Sequence, residues 1–171
     1  LSLLRAKFPT LKAEFLEFLD QEVSRYSHDI KLPGPTGESN QLIYKPKGTV
    51  LCIGPKHKDA LMQTLLSLFL GNCVISQISK QEYESLVEIG FKTENISQLN
   101  DSPSLSLIES NAYNAVLYFG DDNSVNKLIV ASRNELIPVV SSIYEAWELI
   151  KEKVITIDTT ASGGNANLLA L

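Results

Sequence analysis

The pattern of apolar and polar positions changes its period along the chain. Between residues 10 and 27 the apolar positions fall on one stripe of a helix, and charged residues lie off it. After a connection rich in proline and glycine at residues 32–40, β-branched and aliphatic runs alternate with amphipathic stretches. The runs predict strands at residues 41–45, 49–53, 73–77, 96–99, 115–119, 137–141 and 154–157. The amphipathic stretches predict helices at residues 58–70, 80–89, 103–110, 122–132 and 144–150.

Local signals mark the ends of several of these helices. Ser79 followed by Glu82 has the pattern of a capping box, so a helix is expected to begin there. Gly71 and Gly90 follow two amphipathic stretches and can adopt the left-handed conformation that ends a helix. Strands and helices that alternate at this spacing indicate an α/β fold with a mostly parallel sheet flanked by helices. We also expect a separate N-terminal helix and an extended C-terminal strand or flap.

The composition excludes several classes of protein. A chain of 171 residues suits one domain. The formal net charge of −5 gives no support to nucleic-acid binding, because Lys and Arg are scattered rather than clustered. No apolar run has the roughly 18 residues that a membrane span needs, and we expect no signal peptide. We therefore expect a cytoplasmic protein, and the start at Leu1 without Met predicts a fragment of a larger one.

Residues that often carry chemistry are few. Cys52 and Cys73 both lie in strand-like apolar runs, which favours buried, reduced thiols over a disulfide, a metal site or a nucleophile. His28 and His57 have no metal-ligand spacing to these cysteines. Neither common phosphate-binding loop, Gly-x-Gly-x-x-Gly or Gly-Lys-Ser/Thr, occurs in the sequence. We therefore predict no catalytic, cofactor-binding or metal-binding residue in this chain.

Other candidate groups have a simpler structural interpretation. Two pairs of carboxylates suit helix caps or solvated helix surface, namely Asp20 with Glu22 and Asp121 with Asp122. Tyr144 and Trp147 lie three residues apart, which is typical of a helix face that packs on the core. The only basic stretch comprises Lys45, Lys47, Lys56 and Lys58. We interpret it as a solvated edge, with binding of an anionic partner as the alternative.

The C-terminal segment consists largely of small and polar residues. Its sequence is DTTASGGNANLLAL over residues 158–171. Gly163 and Gly164 permit the close approach of another backbone, and Thr and Asn side chains can bond a partner's main chain. Composition alone favours a Gly-Gly turn and a short return strand within the same domain. The alternative is a tail that docks on another surface by adding a strand to a sheet edge.

Two longer motifs carry a resemblance to a known family. The segments LPGPTGESN at residues 32–40 and TTASGGNANL at residues 159–168 resemble the C-terminal region of proline utilization A. The middle of the chain is similar to the nucleotide-binding domain of aldehyde dehydrogenases, through KGTVLCIGP at 47–55, LSLFLGNCVI at 66–75 and YFGD at 118–121. The resemblance implies a Rossmann-like fold of the aldehyde dehydrogenase superfamily. We expect an N-terminal helical segment at 1–31, the Rossmann-like domain at 32–150, and a C-terminal strand and docking tail at 151–171.

The chain departs from the aldehyde dehydrogenase pattern at the positions that carry chemistry. Residues 55–58 offer no Asn for an oxyanion, and Gln77 replaces the lysine that contacts the adenosine ribose in those enzymes. Asp121 stands where they have a serine beside the pyrophosphate, and a carboxylate there would repel the phosphates. The sequence after residue 142 leaves no room for their nucleophilic cysteine and general-base glutamate. The resemblance therefore implies a non-catalytic domain without a cofactor of its own.

What the resemblance implies is a structural role in a larger enzyme. Members of this family oxidise proline to glutamate with an FAD-dependent proline dehydrogenase module and an NAD-dependent glutamate-semialdehyde dehydrogenase module, and the intermediate passes through an internal tunnel. By resemblance, this domain covers the tunnel and supports the dehydrogenase module. The contact is expected from the interaction tail, which comprises Thr159, Thr160, Ala161, Gly163, Gly164 and Asn165. The chain could also form a homodimer through this tail. The alternatives are a Rossmann-like small-molecule or nucleotide-binding protein, or a dimerisation module.

Overall fold

Two β-sheets of different type organise the chain. The computed structural model describes residues 2–99, 112–132 and 137–158. The strands are β1 (Ile30–Leu32), β2 (Glu38–Pro46), β3 (Thr49–Cys52), β4 (Cys73–Ser76), β5 (Ile96–Gln98), β6 (Ala115–Leu117), β7 (Val139–Val140) and β8 (Ile150–Asp158). The helices are α1 (Ser2–Lys7), α2 (Ala13–Tyr26), α3 (His57–Phe69), α4 (Lys80–Glu88) and α5 (Asp122–Ser132), with 3₁₀ segments at Thr93–Asn95 and Ile143–Leu149.

The larger sheet is parallel and has five strands in the order β5-β4-β3-β6-β7. From β3 the chain moves outward through β4 to β5, then crosses back to β6 and β7 on the other side. The strand order therefore reverses between β3 and β6, which is the switch point of a doubly wound sheet. This topology confirms the predicted α/β fold with a mostly parallel sheet.

Helices cover both faces of this sheet. Val50 and Cys52 of β3 belong to the main core, which also contains Leu86 of α4. Leu51, between them, belongs to a second cluster that Leu128 of α5 covers. Successive side chains of a strand point to opposite faces, so a strand covered on both sides is apolar throughout. The uninterrupted apolar run in β3 thus follows from its central position.

The predicted helix ends are confirmed where the structure describes them. The Ser79 N–H donates to the Glu82 carboxylate at 2.8 Å, and the Glu82 N–H donates to the Ser79 hydroxyl at 3.2 Å. Gly71 and Gly90 follow α3 and α4 with φ angles of 84° and 108°. A side chain at either position would strain the backbone. These local signals position the start and end of the helices that surround the parallel sheet.

The smaller sheet is antiparallel and has β2 between β1 and β8. Strands β2 and β8 pair along their whole length, from Glu38 opposite Asp158 to Pro46 opposite Ile150. Residues 32–40, predicted as an irregular connection, therefore include the end of β1 and the start of β2. The predicted strand at 154–157 is part of a longer one. The sheet joins segments on both sides of the expected boundary at residue 150. The division of the chain into residues 1–31, 32–150 and 151–171 stays a prediction.

Two further predicted helices have different outcomes. The segment predicted as a helix at 144–150 is the 3₁₀ segment Ile143–Leu149, which starts with a second capping box formed by Ser142 and Glu145. The helix predicted at residues 103–110 lies outside the described residues.

Candidate functional site

A cleft of about 710 Å³ opens at the carboxyl edge of the parallel sheet. Gly54 comes after β3, Gln77 follows β4, and Gln98 ends β5, so three adjacent strands converge on the cleft. Open α/β sheets present their ligands at this edge. The cleft is therefore the candidate small-molecule site of this fold.

The floor of the cleft at Gly54 is a close contact between strand and helix. A Cβ atom on Gly54 would lie 2.6 Å from the Ala60 nitrogen and 2.7 Å from the Asp59 Cβ atom. The Gly54 N–H donates to Oε1 of the buried Gln63 side chain at 2.9 Å. Only glycine fits between β3 and α3 here. These contacts bring the N-terminus of α3 to the cleft.

Two lysines, Lys56 and Lys80, and the histidine His57 line the cleft. All three are exposed. His57 Nε2 lies 2.9 Å from the Glu82 carboxylate, and Lys80 Nζ lies 3.9 Å from that of Glu84. The exposed pair of Lys80 with Glu84 contributes little, because water screens it and long side chains lose freedom on pairing. The cleft thus has a positive rim of solvated side chains.

Two of the positions that depart from the aldehyde dehydrogenase pattern are Gln77 and Asp121. Gln77 lines the cleft and is half-buried. Asp121 is the N-cap of α5, as predicted, because its carboxylate accepts the Ser124 N–H at 3.0 Å and the Ser124 hydroxyl at 2.8 Å. The hydrogen bond from the Ser124 hydroxyl, followed by that from its backbone, lowers the pKa of Asp121. A carboxylate that occupies the first turn of α5 does not fit a pyrophosphate at that helix end.

The two cysteines have different surroundings. Both are free thiols. Cys52 is fully buried in β3, and burial raises the pKa of its thiol to about 12. Cys73 is half-buried, and its thiol donates to Asn95 Oδ1 at 3.6 Å. The prediction of a buried residue is right for Cys52 and wrong for Cys73, which begins β4. A thiol as protonated as that of Cys52 is a poor nucleophile at neutral pH.

Glu22 was predicted to lie on solvated helix surface, and this prediction is wrong. Its side chain is buried. Its carboxylate oxygen lies 2.9 Å from a guanidinium nitrogen of Arg25, which is one turn further along α2. Glu22 follows buried Leu19 by three residues, so both fall on the inward side of the helix. Asp20 is exposed as expected. The pair of carboxylates is therefore split between two faces of α2.

The predicted core packing of Tyr144 and Trp147 is wrong. Their side chains are 76% and 57% exposed. A 3₁₀ segment has three residues per turn, so positions 144 and 147 share one face while Ala146 and Leu149 are buried on the other. The Tyr144 and Phe18 rings pack edge to face, with 5.5 Å between ring centroids. The result is a pair of aromatic side chains on the surface.

The described residues show no metal-binding cluster and no membrane span. Within residues 2–99, 112–132 and 137–158, no group of three or more His, Cys, Asp or Glu side chains could hold a metal ion. No helix in that part of the chain is long and apolar enough to cross a membrane.

The outer edge of β8 is a second candidate site. In the described part of the chain, β8 pairs with β2 on one side only, along nine residues. Val154 and Ile157 are 56% and 55% exposed, one on each face of the sheet. The strand leads directly into the predicted interaction tail. The tail residues Thr159, Thr160, Ala161, Gly163, Gly164 and Asn165 lie outside the described residues.

Comparison with known proteins finds relatives among the PutA proteins. No family model matches the chain. The bifunctional protein PutA of Escherichia coli (strain K12) is 28% identical over 151 residues, which cover 82% of this chain and 11% of that protein. PutA of Klebsiella aerogenes is 28% identical over 140 residues, which cover 77% of this chain and 10% of that protein. The chain thus spans about a tenth of the length of these curated relatives.

Solved structures agree on the fold. Proline utilization A of Bradyrhizobium japonicum matches 74% of this chain and 15% of its own, with a TM-score of 0.64 and 20% identity. An NADP dependent enzyme of E. coli matches 73% of this chain and 29% of its own, with a TM-score of 0.60 and 18% identity. Staphylococcus aureus AldH matches 74% of this chain and 30% of its own, with a TM-score of 0.53 and 17% identity. The resemblance predicted from the motifs is confirmed: the chain is similar in sequence to the proline utilization A proteins and has their aldehyde dehydrogenase-like α/β fold.

Proposed function

We propose that this chain is a non-catalytic structural domain of an enzyme that oxidises proline to glutamate. The similarity to PutA extends over 82% of this chain but only 11% of the relative, which supports a role as one part of a much larger polypeptide. In this proposal the FAD and NAD sites belong to the proline dehydrogenase and aldehyde dehydrogenase modules of that polypeptide. This domain holds neither cofactor, and the enzyme works in the cytoplasm.

The observation that carries the proposal is the open edge of β8. Within the described residues β8 has one paired side, and a nine-residue strand of this kind presents a row of N–H and C=O groups to whatever lies beside it. Exposed Val154 and Ile157 add apolar surface on either face of the same strand. Proteins normally blunt or cover an edge of this length, because it is a template for pairing with another chain. A neighbouring module of the same enzyme is the proposed cover.

The tail extends this contact in the proposal. Residues 159–171 continue from β8, and thirteen extended residues reach on the order of 40 Å. Thr159, Thr160 and Asn165 can bond a main chain, while Gly163 and Gly164 let two backbones approach closely. Strand addition is the expected mode of contact. A tail anchored in this way covers the tunnel between the two modules and supports the dehydrogenase module.

The surroundings of the reactive groups support a role without catalysis. Cys52 is buried with a raised pKa, so its thiol is neither accessible nor ionised. Glu82 is engaged with Ser79 in the capping box of α4. The Asp121 carboxylate is engaged with Ser124 at the start of α5. These side chains stabilise local structure.

Removal of the tail from the full-length enzyme tests the proposed function. In a variant that lacks residues 159–171, we expect each module to keep its own activity when it is assayed separately. NADH formation from proline should show a lag in that variant, because the intermediate would escape before it is oxidised. A variant with Lys127→Ala, exposed on α5, is the control and should show no lag. Immediate NADH formation by the truncated enzyme would overturn the tunnel-covering role.

The cleft favours a second candidate function, binding of a small molecule or nucleotide. Its volume of about 710 Å³ and the two lysines at its rim, Lys56 and Lys80, suit an anionic ligand. Titration calorimetry of the chain with NAD tests this alternative. Micromolar affinity that falls in the double variant Lys56→Ala, Lys80→Ala would establish it and overturn the non-catalytic structural proposal. Absence of heat would remove it.

The open β8 edge also favours a dimerisation module. Two copies could pair their outer strands to form one continuous sheet. Sedimentation of the isolated chain over a range of concentrations tests this candidate. Association that persists after residues 159–171 are removed would assign self-pairing to β8. If the chain is a monomer at all concentrations, self-pairing is excluded and docking on another module of the larger enzyme remains the proposed role of the β8 edge.

A further inference from the structure

The three-stranded sheet separates positive and negative charge between its two faces. The unbroken register puts Lys45 opposite Lys151, and Ile43 opposite Lys153. In β1, Lys31 lies opposite Gln41. Directly opposed residues share a face, and so do residues two apart along a strand. One face therefore carries four lysines, and we call it the lysine face: Lys31, Lys45, Lys151 and Lys153.

The opposite face of the same sheet is acidic. Glu38 lies opposite Asp158, and Glu152 lies opposite Tyr44. On the lysine face the acidic side chain is Asp29, whose Oδ2 accepts a hydrogen bond from Gln41 Nε2 at 2.8 Å. The positive face belongs to a chain whose formal net charge is −5. The lysines therefore form a local positive surface that the net charge of the chain does not indicate.

The four lysines have no carboxylate partner within the described residues. All are exposed, and none belongs to the ion pairs formed in that part of the chain. Like charges directly opposite each other destabilise a sheet, as Lys45 and Lys151 do here. An external group of negative charge would relieve this repulsion. The arrangement is thus unfavourable for the chain alone.

We propose that the lysine face docks on an acidic surface of a partner protein. Ile43 and Ile155 lie among the lysines on this face, and Ile157 is exposed at its end. Aliphatic groups surrounded by ammonium groups match a protein surface whose apolar centre has a rim of carboxylates. The face has neither an arginine nor an aromatic ring for phosphates or bases. The contact uses the face of the sheet, so it does not depend on the β8 edge or on the tail.

Binding of three anionic probes to the 171-residue chain tests this inference. The probes are poly-L-glutamate, a short DNA duplex, and vesicles that contain phosphatidylserine, compared at equal concentrations of negative charge. Poly-L-glutamate, which stands for an acidic protein surface, should bind most tightly. Its affinity should fall as salt is added, because salt screens exposed charges. Failure to bind poly-L-glutamate at low salt, or tighter binding of DNA or vesicles, would overturn the inference.

Charge reversal on the sheet gives the residue-level test. Lys151→Glu should weaken poly-L-glutamate binding at least tenfold. It should leave the chain folded and at least as resistant to heat, because Glu would attract Lys45. Lys127→Glu, which changes the net charge equally on exposed α5, should bind as the parent does. An equal loss in both variants would indicate non-specific attraction and overturn the inference.

Two further outcomes are distinguished by the same assay. A chain that ends at Asp158 should bind poly-L-glutamate as the complete chain does, whether or not the tail has its proposed role. Loss of binding in the shortened chain would assign the contact to the tail and overturn the inference. Self-association that Lys151→Glu abolishes would identify a second copy as the occupant and would also overturn it.

Discussion

Asn72 Nδ2 donates to the backbone carbonyl oxygen of Leu149 at 3.0 Å, across the junction between the two sheets. The Asn72 side chain is buried, and its Oδ1 accepts the Gly48 N–H at 2.9 Å just before β3. The Lys47 N–H donates to the same Leu149 oxygen at 3.0 Å. One buried amide thus joins the turn after α3, the start of β3 and the end of the 3₁₀ segment. The antiparallel sheet begins from this junction on both strands, at Pro46 and Ile150.

Replacement of Asn72 by Ala should destabilise the chain by about 1–3 kcal/mol, because the half-buried Gly48 N–H would lose its acceptor. Urea unfolding followed by circular dichroism measures the free energy of unfolding. The matched control is Asn126→Ala on exposed α5, which should stay within about 0.5 kcal/mol of the parent. Equal stability of the Asn72 variant and the parent would contradict the role assigned to this junction.

The cap at Asp121 should make part of the stability depend on pH. The Ser124 hydrogen bonds lower the pKa of this carboxyl in the folded chain, so its stabilising contribution is present above the ordinary carboxyl pKa of about 4. The contribution should be lost as the pH falls further and the carboxyl is protonated. Asp121→Asn should therefore have a lower melting temperature than the parent at neutral pH, and the difference should shrink in acid. Asp122→Asn removes a charge from the same turn but leaves the bonds to Ser124, so a fall of equal size in that control would contradict the cap.

The two thiols should react at different rates. At pH 8 iodoacetamide should label Cys73 in the folded chain and leave Cys52 unlabelled, because burial protects the latter and raises its pKa to about 12. Mass spectrometry of tryptic peptides measures both sites in one sample. Unfolding in guanidinium should equalise them. Rapid labelling of Cys52 in the folded chain would show that a reactive thiol lies at the end of β3.

Trp147 should behave as a solvent-exposed residue in the isolated chain. It is the single tryptophan, so fluorescence reports on it alone. Acrylamide and iodide should both quench its emission efficiently, because its side chain is 57% exposed. Trp147→Ala should change the free energy of unfolding by no more than about 0.5 kcal/mol. A blue-shifted, unquenched emission or a large loss of stability would place the side chain in a core.

Local signals allowed much of the parallel layer to be predicted. The capping box at Ser79 and Glu82, the glycines after α3 and α4, and the cap at Asp121 act over a few residues, so the sequence shows them directly. The alternation of apolar runs then predicts the parallel sheet. The pairing of β2 with β8 could not be predicted in this way. It joins Glu38–Pro46 to Ile150–Asp158 across more than a hundred residues, and neither strand has a uniform apolar face.

Several surface features could not be predicted from the spacing of residues in the sequence alone. Tyr144 and Trp147 would share a face in an α-helix as well as in a 3₁₀ segment, and the sequence pattern does not show which face turns outward. Glu22 lies on the inward side of α2, where its buried carboxylate pairs with Arg25 one turn away. The lysine face depends on the register of β2 and β8, since a shift of one residue would mix its charges with those of the other face.

The central claim is that the domain docks through the β8 edge and the tail that follows it. Hydrogen–deuterium exchange with mass spectrometry, on the isolated chain and on the full-length enzyme, measures this contact most directly. Peptides from β8 and from residues 159–171 should exchange more slowly in the full-length enzyme. Peptides from β2 should exchange alike in both, because β2 is already paired on both sides. Equal exchange of β8 and the tail in the two proteins would contradict docking.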